Sequence, residues 1–240
     1  MFDMAKIKIK TDRSIVMMAD PEINLIEKEL NSKTIMVEWG SGGSTLYFST
    51  FVKQLCSFEH NPKWYQDIKD NIESQGIHNV EYHYSPSNHW FTKPPGHRQE
   101  GYRGTPIKYF ETYVNAIERC ERGTLDVALI DGRCRMYCAV KLLPYLKDNG
   151  FLYIHDFWNR RQYHEVFKFY DEVESKKRKD GCPQTIIKLK KKDKKDMPDP
   201  SFYDCVKTTE EITEILKRDP NNFEWIGGLK KKSKKKKKKK

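Results

Sequence analysis

No window of this 240-residue chain approaches the roughly 18 uninterrupted apolar residues of a membrane span. Its first residues, MFDMAKIKIKTDR, lack the apolar stretch and small-residue cleavage site of a secretory leader. The six cysteines (Cys56, Cys120, Cys134, Cys138, Cys182 and Cys205) are scattered, with no CxxC pair and no tight disulfide framework. Cys134 and Cys138, four apart on a predicted helix, read as core residues rather than zinc ligands. This usage fits a reducing cytosolic compartment. A broad basic face is missing too. The formal net charge is +11, yet ten lysines crowd into Lys230–Lys240 and six into Lys188–Lys195, which leaves the rest slightly acidic. Whole-chain charge is therefore poor ground for a nucleic-acid groove.

What is present is enough chain for one generous domain, expected over 1–228, followed by a polylysine tail at 229–240. Such a tail repels itself, buries nothing and is expected to be disordered. Three apolar runs read as buried parallel strands: Thr34–Val37, Leu125–Ile130 and Phe151–Ile154. Weaker strand patterns cover Gln54–Phe58 and Asn79–Tyr84. Helical spacing predicts helices over Pro21–Leu30, Ser44–Lys53, Pro62–Glu73, Lys108–Glu121, Arg135–Leu146 and Tyr163–Glu174. The alternation is βαβα, so a mostly parallel sheet flanked by helices is expected.

Two stretches break this rhythm. Residues 85–105 form a loop rich in Pro, Gly, His and aromatics, the length of a lid or binding loop. Residues 176–200 are basic and polar, with one strand pattern at Gln184–Leu189. Beyond them a short helix is expected near Glu210–Lys217 and a last strand near Phe223–Ile226.

The chemistry concentrates at strand ends. In Val37–Thr45 (VEWGSGGST) a strand runs into a glycine loop and then a helix. Gly40, Gly42 and Gly43 permit a tight turn and a close backbone approach, and the helix start favours a negative group. Glu38, just ahead of the glycines, would repel the pyrophosphate of a dinucleotide. It suits a ligand carrying a cationic amine beside a carboxylate, as S-adenosylmethionine does. Glu59 ends the next predicted strand, 17 positions after Gly42, where a carboxylate can accept both hydroxyls of a ribose. Asp131, His155 and Asp156 follow two further strands, so all five side chains converge on one crevice.

VEWGSGGST, SFEHNPKWY, VALIDGR and GFLYIHDF, in this order and spacing, resemble class I S-adenosylmethionine-dependent methyltransferases over Pro21–Tyr170. The wording EWGSGGST, EHNPxWY, DGRxRxxCA and HDFxxRxxY is similar to small methyltransferases of bacteria and large DNA viruses, some associated with methylation of sugar hydroxyls in glycan synthesis. The resemblance implies a Rossmann-like fold with a seven-stranded sheet. It implies that Glu38, Gly40, Ser41, Gly42, Gly43, Ser44 and Thr45 hold the methionine part, Glu59 the ribose and His60 the adenine edge. Asp131 would sit near the methyl-transfer centre. An acidic adenine contact after the third strand is absent, and Ser85 or Ser87 stands there instead.

Transfer to a sugar hydroxyl requires in-line alignment and loss of a proton. His155 is the expected proton acceptor, with Asp131 beside it. Some related O-methyltransferases hold a divalent cation after the fourth and fifth strands; Asp131 and Asp156 occupy those positions, and their oxygens suit Mg²⁺ or Mn²⁺. The expected partner is a small-molecule or glycan acceptor, and the expected location is the cytoplasm, of the host if the chain is viral. The rival readings are a nucleic-acid methyltransferase using the lysine tail, or a non-catalytic module that binds a polyanion.

Overall fold

A computed structural model describes residues 12–86, 110–158, 160–177 and 185–200, the side chains of 161, 162 and 177 apart. The loop from residue 87, the expected helix and strand after residue 200 and the lysine tail lie outside the described residues.

Seven strands form one sheet: β1 (Ile35–Trp39), β2 (Gln54–Glu59), β3 (Val80–Tyr84), β4 (Leu125–Ile130), β5 (Leu146–His155), β6 (Tyr170–Lys177) and β7 (Thr185–Lys191). Their order is β3-β2-β1-β4-β5-β7-β6. The first five pair in parallel, whereas β7 runs antiparallel to both β5 and β6. This is a Rossmann-like α/β fold, mostly parallel, closed on one side by a β6–β7 hairpin.

Both faces are covered, which explains the continuous apolar runs. Alternate residues go to opposite sides. Val37, Trp39, Phe58, Ala128, Ile130 and Ile154 join one core, and Met36, Leu55, Val127, Leu129 and Tyr153 the other. Helices α4 (Glu111–Val114) and α5 (Arg135–Leu142) cover the first face; α1 (Asp20–Glu27) and α2 (Gly43–Phe48) cover the second. Helix α3 (Pro62–Ser74) packs Ile68 and Ile72 on Leu46 and Ile77.

Several expected helices are shorter than their spacing suggested. Helix α5 stops at Leu142, ahead of Pro144, which cannot continue the ladder. The expected helix over Tyr163–Glu174 divides. Arg161–Lys168 is a 3₁₀ helix, and the chain then becomes strand β6 at Tyr170. The lysine run at 188–195 is partly the inner strand β7, where Lys188 Nζ lies 2.6 Å from Glu29 and 3.8 Å from the centroid of the Phe151 ring.

Candidate active site at the β1–β4 crevice

The strand order reverses direction between β1 and β4, the place where an open α/β sheet offers a crevice beyond its strand ends. Gly40 follows β1 with φ +93°, a conformation that side chains rarely adopt. A Cβ there would lie 2.5 Å from the Gly132 nitrogen. The two loops therefore meet backbone to backbone, tied by the Asp131 and Gly132 amides donating to the Trp39 carbonyl at 2.9 and 2.8 Å. Gly43 is closed from the other side, since a Cβ would stand 1.7 Å from the Ile15 carbonyl oxygen.

Glu38 is completely buried (0% exposed). Three hydroxyls converge on its carboxylate: Ser44 and Thr45 at 2.5 Å each and Ser57 at 2.8 Å. Burial lifts its pKa to about 7, and the three donors only partly oppose that rise. Glu38 thus holds the turn from beneath. Its reach toward a ligand runs through Ser44 and Thr45.

Glu59 flanks the loop from β2. Its Oε2 accepts from the Ser41 amide (3.2 Å) and hydroxyl (3.3 Å), and its Oε1 from the His60 and Asn61 amides at 2.8 and 2.7 Å. The expected pairing of Glu38 and Glu59 about one glycine bend is what the coordinates place there. His60 is buried edge-on to Phe110 and Tyr113, with ring centroids 5.4 and 5.2 Å away. Ser85 is buried at the tip of β3, where its amide donates to the Glu59 carbonyl at 2.7 Å. Ser87 lies outside the described residues.

Trp64 and Tyr82 were not singled out from sequence as site residues, yet both fasten Ser41. The Trp64 indole N–H donates to the Ser41 carbonyl at 2.5 Å, and the Tyr82 hydroxyl is 2.6 Å from Ser41 Oγ. The available signal was the helix start Asn61-Pro62, whose Asn61 cap accepts from the Trp64 amide and so sets that indole on the first turn.

Across the crevice, His155 Nδ1 lies 2.9 Å from Asp131 Oδ1, and Nε2 faces Glu22 Oε1 of α1 at 3.6 Å. Burial alone would lower the His155 pKa. The Asp131 and Glu22 carboxylates outweigh it and carry the value up to about 9. The structure places His155, the expected proton acceptor, between these two carboxylates. At neutral pH the ring is an imidazolium, and both nitrogens face carboxylates.

The residues expected to hold a cation have partners of their own. Ligand atoms of Asp131, His155 and Asp156 do lie within 4.8 Å of one another. However, the Arg135 guanidinium stands between the carboxylates, 3.1 Å from Asp131 Oδ1 and 3.6 Å from Asp156 Oδ2. Arg160 adds a second contact to Asp156 at 2.6 Å. Arg135 also donates to the carbonyls of Gly132 (3.0 Å), Asp131 (2.7 Å) and His155. A buried arginine fills the place of a Mg²⁺ or Mn²⁺ ion, so these residues do not fit one. Asp156 has φ +52° and Cys134 φ +50°, so both strand-end turns carry a residue in the left-handed region. Burial pushes the Cys134 thiol up to about 12, and Cys138 is fully buried in the core.

No protein-family model matches the chain, and no curated protein matches it either. Solved structures do. A methyltransferase-like protein from Silicibacter pomeroyi aligns at a TM-score of 0.56 and 20% identity, covering 83% of this chain and 97% of the other. An rRNA methylase from Streptococcus thermophilus aligns at 0.49 and 12% identity over 71% and 93% of the two chains. A SAM-dependent methyltransferase from Aquifex aeolicus aligns at 0.48 and 15% identity over 79% and 98%. The first likeness establishes the fold, one shared with a methyltransferase-like protein.

Proposed function

We propose that this chain is an S-adenosylmethionine-dependent methyltransferase that acts on a hydroxyl of a sugar or glycan intermediate. The observation that carries the reading is the seating of one glycine turn between Glu38 and Glu59, with Asp131 facing it across the Gly40–Gly132 contact. The donor chemistry fits a sulfonium nucleoside. Glu59 at a strand tip suits ribose hydroxyls, Gly40–Ser44 the amino-acid part, and His60 and Ser85 the adenine.

When bound, the nucleoside supplies a methyl group already activated on positively charged sulfur. The protein then has to align an oxygen and take its proton. Asp131 is the group for that step, because its carboxylate is partly exposed at the crevice and ionised. Burial would raise its pKa, but the Arg135 charge and the His155 hydrogen bond bring it below the usual range. A weak carboxylate base suffices. An oxygen receiving a methyl group would turn strongly acidic, and Asp131 would take its proton. His155 and Arg135 are positioning groups that fix the Asp131 carboxylate.

A neutral acceptor is favoured over a polyanion by how several of the described cations are engaged. Arg135 and Arg160 both contact carboxylates in the crevice. In the basic run, Lys188, Lys191 and Lys192 pair with Glu29, Asp148 and Asp171. Incubation with methyl-labelled S-adenosylmethionine and separate panels of nucleotide sugars, short glycans and RNA tests the reading. Label in a sugar supports it; label in RNA alone assigns the nucleic-acid alternative.

A further inference from the structure

A second group of ligand-type side chains lies away from the crevice, on the outer strands. Strands β2 and β3 pair in parallel with Cys56 opposite Glu81 and Phe58 opposite His83. Partners across a parallel ladder share a face, so Cys56, Glu81 and His83 project together. Their ligand atoms all lie within 4.8 Å of one another. Cys120 follows the 3₁₀ helix Asn115–Arg119 and neighbours the Cys56 thiol.

We propose that Cys56, His83, Cys120 and Glu81 form a binding site for a divalent cation of the Zn²⁺ class. The donor set is two sulfurs, one imidazole and one carboxylate, the borderline-soft mixture that Zn²⁺ takes in four-coordinate sites. Tetrahedral Zn²⁺ ligands stand about 3.3–3.8 Å apart, so closing Cys56, Glu81 and His83 on an ion needs side-chain movements of about 1 Å.

Two observations support the site. The buried His83 Nε2 has no hydrogen-bond partner, although its ring is stacked on Phe58 at 5.8 Å and so held in place. The Gln54 amide donates to Glu81 Oε1 at 2.6 Å and orients that carboxylate, as outer partners do around metal ligands. Binding the cation releases the Cys56 and Cys120 thiol protons to solvent as metal–sulfur bonds form.

The site has a structural reason to exist. Strand β3 is the sheet edge, and none of its five residues is fully buried. A cation would cross-link this strand to β2 and to the segment after α4. The proposal does not rest on the methyl-transfer reading.

Co²⁺ titration of the reduced, chelator-treated chain tests it. The expected result is one equivalent bound, with a thiolate-to-cobalt charge-transfer band and the strong visible bands of tetrahedral Co²⁺. Cys56→Ser and Cys120→Ser each weaken the charge-transfer band, and His83→Gln, at a half-buried position, lowers affinity about tenfold or more. Cys134→Ser and Cys138→Ser leave the spectrum unchanged. Zn²⁺ raises the thermal midpoint of the parent chain but not of His83→Gln, which separates ligand loss from misfolding. Absence of the charge-transfer band, or its persistence in a folded Cys56→Ser/Cys120→Ser double variant, overturns the proposal. So does a Cys56–Cys120 disulfide with no cobalt band after reduction, which assigns the pair to redox chemistry.

Discussion

The imidazole of His155 lies against the carboxylate of Asp131, Nδ1 to Oδ1 at 2.9 Å, where sequence had suggested a free general base. The folded pKa of about 9 exceeds the ordinary 6.5 of an unfolded histidine. A raised value means that the contribution to stability is complete below about pH 6.5 and is lost as pH climbs through about 9. Denaturant melts of the parent and His155→Gln are therefore expected to differ most near pH 6, by about 3 kcal/mol at most, and to converge by about pH 10. A gap independent of pH would contradict the imidazolium assignment.

Glu38 titrates in the opposite functional sense. Its folded pKa of about 7 lies above the usual 4.5, so ionising it costs stability between about pH 4.5 and 7. The stability of Glu38→Gln relative to the parent should improve as pH rises through that window, because the amide avoids a buried charge. At pH 5 the amide gains nothing, and its NH₂ mismatches one or more of the three hydroxyl donors. Melting curves across this range measure the crossover.

Gly40→Ala meets two obstacles together, a φ of +93° and a Cβ 2.5 Å from the Gly132 nitrogen. The contacting atom is backbone, so no side chain can swing aside. A loss of about 2–4 kcal/mol in unfolding free energy is expected. Gly42→Ala, whose Cβ would make only 3.7 Å contacts with Trp64, should cost much less.

Strands β1, β4 and β5 were readable because each carries a short apolar run ended by turn chemistry, whereas β2 and β3 gave weaker patterns. Strand β6 was not, because its sequence YDEVESKK is charged, as suits an edge strand that must not recruit another chain. Its Tyr170 sits at helical spacing from Val166 and Phe167, which extended the expected helix too far. At the crevice, Glu38, Glu59 and Asp131 were legible from their places at strand ends. Glu22 and Arg135 were not. Glu22 meets His155 across 133 positions of chain, and nothing local to α1 announces that contact. Arg135 reads as an ordinary first-turn helix residue until the β4 and β5 carbonyls are seen to surround it.

Because Arg135 already bridges Asp131 and Asp156, added Mg²⁺ should leave nucleoside affinity and methyl transfer unchanged. Calorimetry with and without the ion checks this. A rise in affinity or turnover on adding Mg²⁺ would show that the guanidinium yields its place.

The most direct test is calorimetric titration of S-adenosylhomocysteine into the parent chain and Glu59→Gln. One molecule is expected to bind per parent chain, and the variant should bind about 10- to 100-fold more weakly, the loss of charge-assisted hydrogen bonds at one carboxylate. No binding by the parent chain, or equal binding by both, would contradict the account.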